Sequence, residues 1–384
     1  MRPQPNPLFR ALLIALACLA VLVAAAQVVN EDELRAIPLE GNTGQIIDIA
    51  ALPDGHTLLA SCAKGAPLLL IDTAGWRIVR SFAVNGFVDG ARLSLSGDGR
   101  HALLQEDPRF DNDSNRDQET RVAVLDLASG ALVLDLPKAH DACFVPDDAA
   151  IAVLSAGTVT VHGLNGAVLR TLPIPNAANA LAISPDGRTL VVGHRPTVGD
   201  LAQVPSIRND KKALKPALKY RQLISFFDAR TGQRQRMVPA IYDVVQALRF
   251  IDGGSRLLVY SIPDTRFLAN AGGGLIRTGL VEQVDATSGE PLRASCMTRM
   301  NAPVLAVSPD AATLALSSSQ GMNKRKLTLY DLATGDTKLM IDLAQRRRYD
   351  KAEDEAHDGR LGYGWLSDGR LVVAQGTHLG CYRP

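Results

Sequence analysis

Short apolar runs alternate along this chain with turns rich in Asp, Gly and Pro. Leu181-Ala182-Ile183 leads into Ser184-Pro185-Asp186-Gly187 and then Thr189-Leu190-Val191-Val192. Further on, Leu223-Ile224-Ser225-Phe226-Phe227 leads into Asp228-Ala229-Arg230-Thr231-Gly232 and a run around Gln235 to Val238. Apolar runs this short, bounded by turn residues, predict strands rather than helices. In the first turn Pro presets φ and Gly accepts the left-handed position. In the second, the Asp side chain accepts amides ahead of it and Gly reverses the chain. The unit is four short antiparallel strands, a to d.

The unit recurs from end to end. Its a–b turn appears as Pro53-Asp54-Gly55, Gly97-Asp98-Gly99, Pro146-Asp147-Asp148, Pro185-Asp186-Gly187, Asp252-Gly253-Gly254, Pro309-Asp310-Ala311 and Ser367-Asp368-Gly369. Its c–d turn appears at Asp72-Thr73-Ala74-Gly75 and again from Asp126, Asp228, Asp285 and Asp331, with His162 to Gly166 as a variant in the third unit. Repetition at this period signals a propeller or solenoid. The expected fold is all-β, a seven-bladed β-propeller of four-stranded antiparallel blades. The seventh unit ends after three strands, so the apolar segment 34–39 is expected to supply the fourth and close the ring.

The Ser-Pro-Asp-Gly turns and the apolar-Asp-x-x-Thr-Gly turns resemble those of bacterial WD40-like and YVTN-type seven-bladed propellers, related to the quinoprotein amine dehydrogenase β-chain superfamily. The resemblance covers nearly all of residues 34–384. It implies the fold and says little about activity, because propellers carry many unrelated functions. The Trp-Asp dipeptide of eukaryotic WD40 blades is absent.

Composition adds a location. Residues 1–10 hold two Arg and no acid, and residues 11–26 are unbroken apolar, ending Val23-Ala24-Ala25-Ala26. This is the layout of a secretory signal with cleavage after Ala26, and export to the periplasm is the expectation. If Gln27 is tolerated, the apolar stretch reaches Val29, and an uncleaved membrane anchor is the alternative. Lys and Arg number 41 against 40 acids, a balance that implies no nucleic acid or anionic membrane as partner. Cys62, Cys143, Cys296 and Cys381 have no Cys-x-x-Cys spacing and sit in strand-like runs, where they read as small core residues. Their pairing is left open.

Topology places function on one face. In such blades the b–c loops and d–a crossovers share one end of the disc. The long insertions, 105–120, 194–222, 261–278 and 345–362, all belong to these two classes, and long loops on a rigid scaffold carry function. In the first, Asp111, Asp113, Asn115 and Asp117 alternate like the start of a calcium loop, which makes Ca2+ the candidate metal. Arg116 and Val122 stand where that motif wants Gly and Glu, and a solvated acidic loop is the plainer reading. The second carries Arg208, Lys211, Lys212 and Lys215 among its basic residues, a patch for an anionic ligand or acidic partner, or else a solvated loop with a short helix. His194 ends strand b on that face and is the one histidine singled out as a ligand. Arg346 and Arg347 precede the acidic stretch 350–358 in the last insertion.

No Gly-x-Ser-x-Gly or Cys-x-x-Cys-His occurs, which excludes an α/β-hydrolase elbow and covalent haem. With only Trp76 and Trp365, the chain is unlike the Trp-rich eight-bladed quinone dehydrogenases. The expectation is an exported, monomeric, non-enzymatic scaffold that docks a protein on its loop-rich face. The alternatives are a lactonase-like hydrolase and a binding protein for a small anion held by the basic loops.

Overall fold

A computed structural model describes residues 27–30, 35–41, 44–63, 68–87, 90–106, 119–146, 149–174, 177–264, 278–298, 304–319, 325–343 and 361–384. Their strands form seven sheets. Blade four shows the plan: Ala178–Ile183, Thr189–His194, Leu223–Asp228 and Arg234–Met237 pair in sequence order, each antiparallel to the next. The fold is the expected all-β propeller of seven blades.

The turns form as their chemistry requires. Ser184 donates its hydroxyl to Asp186 Oδ1 at 2.5 Å, Asp186 accepts the amide of Arg188, and Gly187 takes φ +69°. In the c–d turn, one carboxylate oxygen of Asp228 accepts the amides of Arg230 and Thr231 and the Thr231 hydroxyl. The Thr231 bonds hold the Asp228 carboxyl below the usual carboxylate range.

The core lies between blades rather than within a single centre. Seven buried apolar clusters each join two neighbouring blades, for example Leu181, Leu190 and Phe227 of blade four with Leu154, Val161 and Leu172 of blade three. One cluster joins the last blade to the first, placing Leu366, Val372 and Leu379 against Ile49, Leu58 and Ile71. A strand in this position buries both faces, which is why strands b and c read as nearly continuous apolar runs.

The first strands belong to the last blades. Arg35–Ile37 pairs antiparallel with His378–Tyr382, so the seventh sheet has four strands. Gln27–Asn30 pairs parallel with Thr337–Asp342 and makes the sixth sheet five-stranded, which the repeat pattern did not anticipate. Cys62, Cys143, Cys296 and Cys381 form no disulfide among the described residues; Cys62 and Cys296 are buried, and burial pushes the Cys62 thiol up to about 12.

Candidate functional site

Antiparallel order puts the short a–b and c–d turns at one end of the disc and the strand ends that flank the insertions at the other. Of those insertions, the one in blade four is described throughout, and it is a folded module. Helix α1 (Val198–Leu201) opens with a capping box between Thr197 and Asp200, and helix α2 (Lys211–Tyr220) is capped by Asp210, which accepts the amides of Lys212 and Ala213. Reciprocal caps of this kind satisfy the first orphan amides of a helix. Pro216 lies inside α2 on its exposed side, where water can meet the carbonyl that loses its partner.

The module has its own small core. Leu201, Val204, Ile207 and Ala217 pack with Leu223 of strand c, flanked by Met237 of strand d and Ile241 of the crossover to blade five. Polar contacts fasten it at both ends. Asp200, 4% exposed, accepts from Arg234 Nη1 of strand d at 2.7 Å. Burial alone would raise the Asp200 carboxyl; bonds from Thr197 and Arg234 outweigh that and hold it low. At the other end Gln222 and Tyr242 exchange backbone hydrogen bonds, Gln222 Oε1 accepts the amide of Val245 at 2.8 Å, and Arg221 pairs with Asp243.

Packing with Ala213, Leu214, Ala217 and Leu218 inward turns Lys211, Lys212, Lys215 and Lys219 outward. At ~100° per residue these four lysines share about 100° of the helix circumference. All four are exposed, as is Arg208 in the preceding turn. Lys211 and Lys212 sit in the first turn, where cations oppose the helix dipole, so this arrangement does not serve helix stability.

His194 is not part of this surface. It is fully buried; Nδ1 donates to the Arg195 carbonyl at 2.9 Å and Nε2 accepts from the Ser225 hydroxyl at 2.8 Å. Burial lowers its pKa and keeps the ring neutral. The insertion folds over the end of strand b, and a residue expected at an open rim becomes a strand anchor. The proposed calcium ligands Asp111, Asp113, Asn115 and Asp117, together with Arg346 and Arg347, lie outside the described residues. Among the described residues no cluster of three or more His, Cys, Asp or Glu is placed to hold a metal.

Where blade four meets blade five, the same face gathers carboxyl groups. Asp243 is raised by burial and by Asp264, against the pull of Arg221; Glu282 is raised by burial and by Asp243. Beside them the Tyr242 hydroxyl is buried with no hydrogen-bond partner among the described residues. Sequence reasoning missed this group, since its members come from a crossover, a loop and a strand.

Strands a line a central channel of about 620 Å³. Asp48, Arg92 and Asp141 occupy matching positions on blades one to three, opposite Ser61, Gln105 and Leu154 of their strands b. Each acid bridges two blades. Asp48 accepts the amides of Ile49 and, from blade two, Leu93 at 2.7 Å; Asp141 accepts those of Ala142 and, from blade four, Leu181 at 2.9 Å.

No protein-family model matches the chain, and no curated protein matches it in sequence. Among solved structures it is similar to the Myceliophteria thermophila Cps50 (Swd1) beta-propeller domain, with a TM-score of 0.59 and 16% identity over 91% of this chain and 99% of that one. Identity this low shows a shared WD40-type propeller fold.

Proposed function

We propose that this protein is an exported, non-enzymatic scaffold that docks a protein partner on its loop-rich face. The observation that carries the reading is the blade-four module. Its own core and its ion pairs at both ends hold a stripe of four lysines on a fixed, outward-facing helix. A rigid charged surface of this kind complements an acidic patch and steers its approach. The stripe is convex, which favours a protein surface over the small anionic ligand kept as the alternative. The basic and apolar pattern of residues 1–26 supports export.

The test is a crosslinking pull-down from native envelope with the full-length protein and with a variant carrying Lys211→Glu, Lys212→Glu, Lys215→Glu and Lys219→Glu. A stoichiometric partner captured by the first and lost by the second is the expected result. Equal capture by both removes the lysine stripe from the interface. No capture by either overturns the scaffold reading.

A further inference from the structure

One level further along strands a, away from the insertions, six blades carry small channel-lining residues: Ala50, Ser94, Cys143, Ala182, Ala306 and Gly364. All six stand four residues before the acid of their a–b turn, Asp54, Asp98, Asp147, Asp186, Asp310 and Asp368; the first five face the third residue of their strand b, and Gly364 faces Val372, the second. At this level blade five has Arg249, paired with Leu258. The guanidinium therefore extends into space that its neighbours leave empty.

Its bonding is incomplete for a group with five N–H donors. Arg249 donates one hydrogen bond, from Nη1 to the Leu305 carbonyl of blade six, and pairs with no carboxylate among the described residues. The side chain is accessible within the channel, yet protein surrounds it on all sides and burial alone lowers its pKa. The nearest acids of the channel wall, Asp48 and Asp141, lie on blades one and three, two residues nearer the insertions, and are held by backbone amides. Two residues along a strand is about 6.6 Å. A cation with free donors in a channel walled by protein attracts anions, because low-dielectric walls focus its field.

We propose that the central channel is a binding site for a small oxyanion, a carboxylate or phosphate group, held by the free guanidinium donors of Arg249. Planar guanidinium donors match the paired oxygens of either group. Ser94 offers a hydroxyl at the same level, and Cys143, whose thiol burial pushes well above its ordinary value, stays neutral and does not repel the ligand. The site owes nothing to the lysines of α2, so its fate is separate from that of the docking surface.

Titration calorimetry on the full-length protein with inorganic phosphate and with succinate tests it. One-site saturable binding of at least one anion is expected, weakened at least tenfold in Arg249→Met and unchanged in Lys211→Glu/Lys215→Glu. Binding of phosphate only, or of succinate only, supports the site and identifies the group it takes. Absence of saturable binding of either to the wild-type protein overturns the proposal, as does full affinity in Arg249→Met. If Arg249→Met does not fold, Arg249→Lys decides: it keeps the charge but loses the paired donors, so a fall of at least fivefold is expected and unchanged affinity refutes the site.

Discussion

Gly362 of the last blade lies so close to Asp48 of the first that a Cβ built on it would stand 2.9 Å from the Asp48 amide nitrogen. Six residues before the acid of the a–b turn, where blade one carries Asp48 and blade three Asp141, blade seven has no side chain, and backbone takes the place of a carboxylate. Gly362→Ala is therefore expected to force the blade seven–blade one seam apart at a cost of about 1–3 kcal/mol. Gly199 in α1 serves as control, with only Thr197 Oγ1 near its virtual Cβ, at 3.7 Å; Gly199→Ala should be neutral or slightly stabilising. Urea unfolding midpoints compare the two, and equal midpoints would refute the close-approach account.

Inter-blade stapling by acids is testable at Asp141. Asp141→Ala leaves the Leu181 amide without the carboxylate it now meets at 2.9 Å, and about 1–3 kcal/mol should be lost. Hydrogen exchange would show the loss first at the blade three–blade four junction.

Tyr242 is 2% exposed and its hydroxyl has no hydrogen-bond partner among the described residues. Removing that oxygen withdraws a buried polar group at no loss of bonding, so Tyr242→Phe should leave stability unchanged or raise it by up to about 1 kcal/mol. A fall of similar size in thermal denaturation would mean that the hydroxyl has a partner in solution.

Two groups give stability opposite pH dependences. Glu282 has its pKa raised above 4.5 by burial and by Asp243, so the folded state holds its proton longer. Its penalty is absent below about pH 4.5 and grows as pH rises through the folded value. Glu282→Gln should therefore stabilise at neutral pH and do nothing in acid. His194 has its pKa lowered below 6.5 by burial. Its contribution is complete above pH 6.5 and declines as pH falls below it. Unfolding of the wild type and Glu282→Gln from pH 4 to 8 separates the two; a Glu282→Gln effect independent of pH would sink the first assignment.

The docked state of the blade-four module depends on Asp200. Asp200→Ala strands Arg234, which is about a third exposed, and should cost about 1–3 kcal/mol locally. Limited proteolysis within 198–220 should accelerate while the blades stay resistant. Unchanged cleavage would show that the apolar contacts alone hold the module.

Turn chemistry made most of this fold legible in the sequence. Asp228, Asp285 and Asp331 bond amides two and three residues ahead, and such contacts depend on local spacing alone. Blade count, strand order and the shared face of the insertions follow from repeating that local unit. The lysines of 211–219 were visible as a basic run, and their common orientation required α2 and the core beneath it. His194 misled because strand b ends there, and nothing local reports that a later insertion covers it. Arg249 was legible only by comparison: six other blades have a small residue at its position, a signal that appears once the strands a are aligned by register. The added strand Gln27–Asn30 pairs with residues some 300 positions away, and no periodicity marks it. The sequence by itself determined what short-range hydrogen bonds and apolar alternation dictate. Tertiary structure decided which side chains reach the channel, the seam or the open face, because that depends on ring packing between blades distant along the chain.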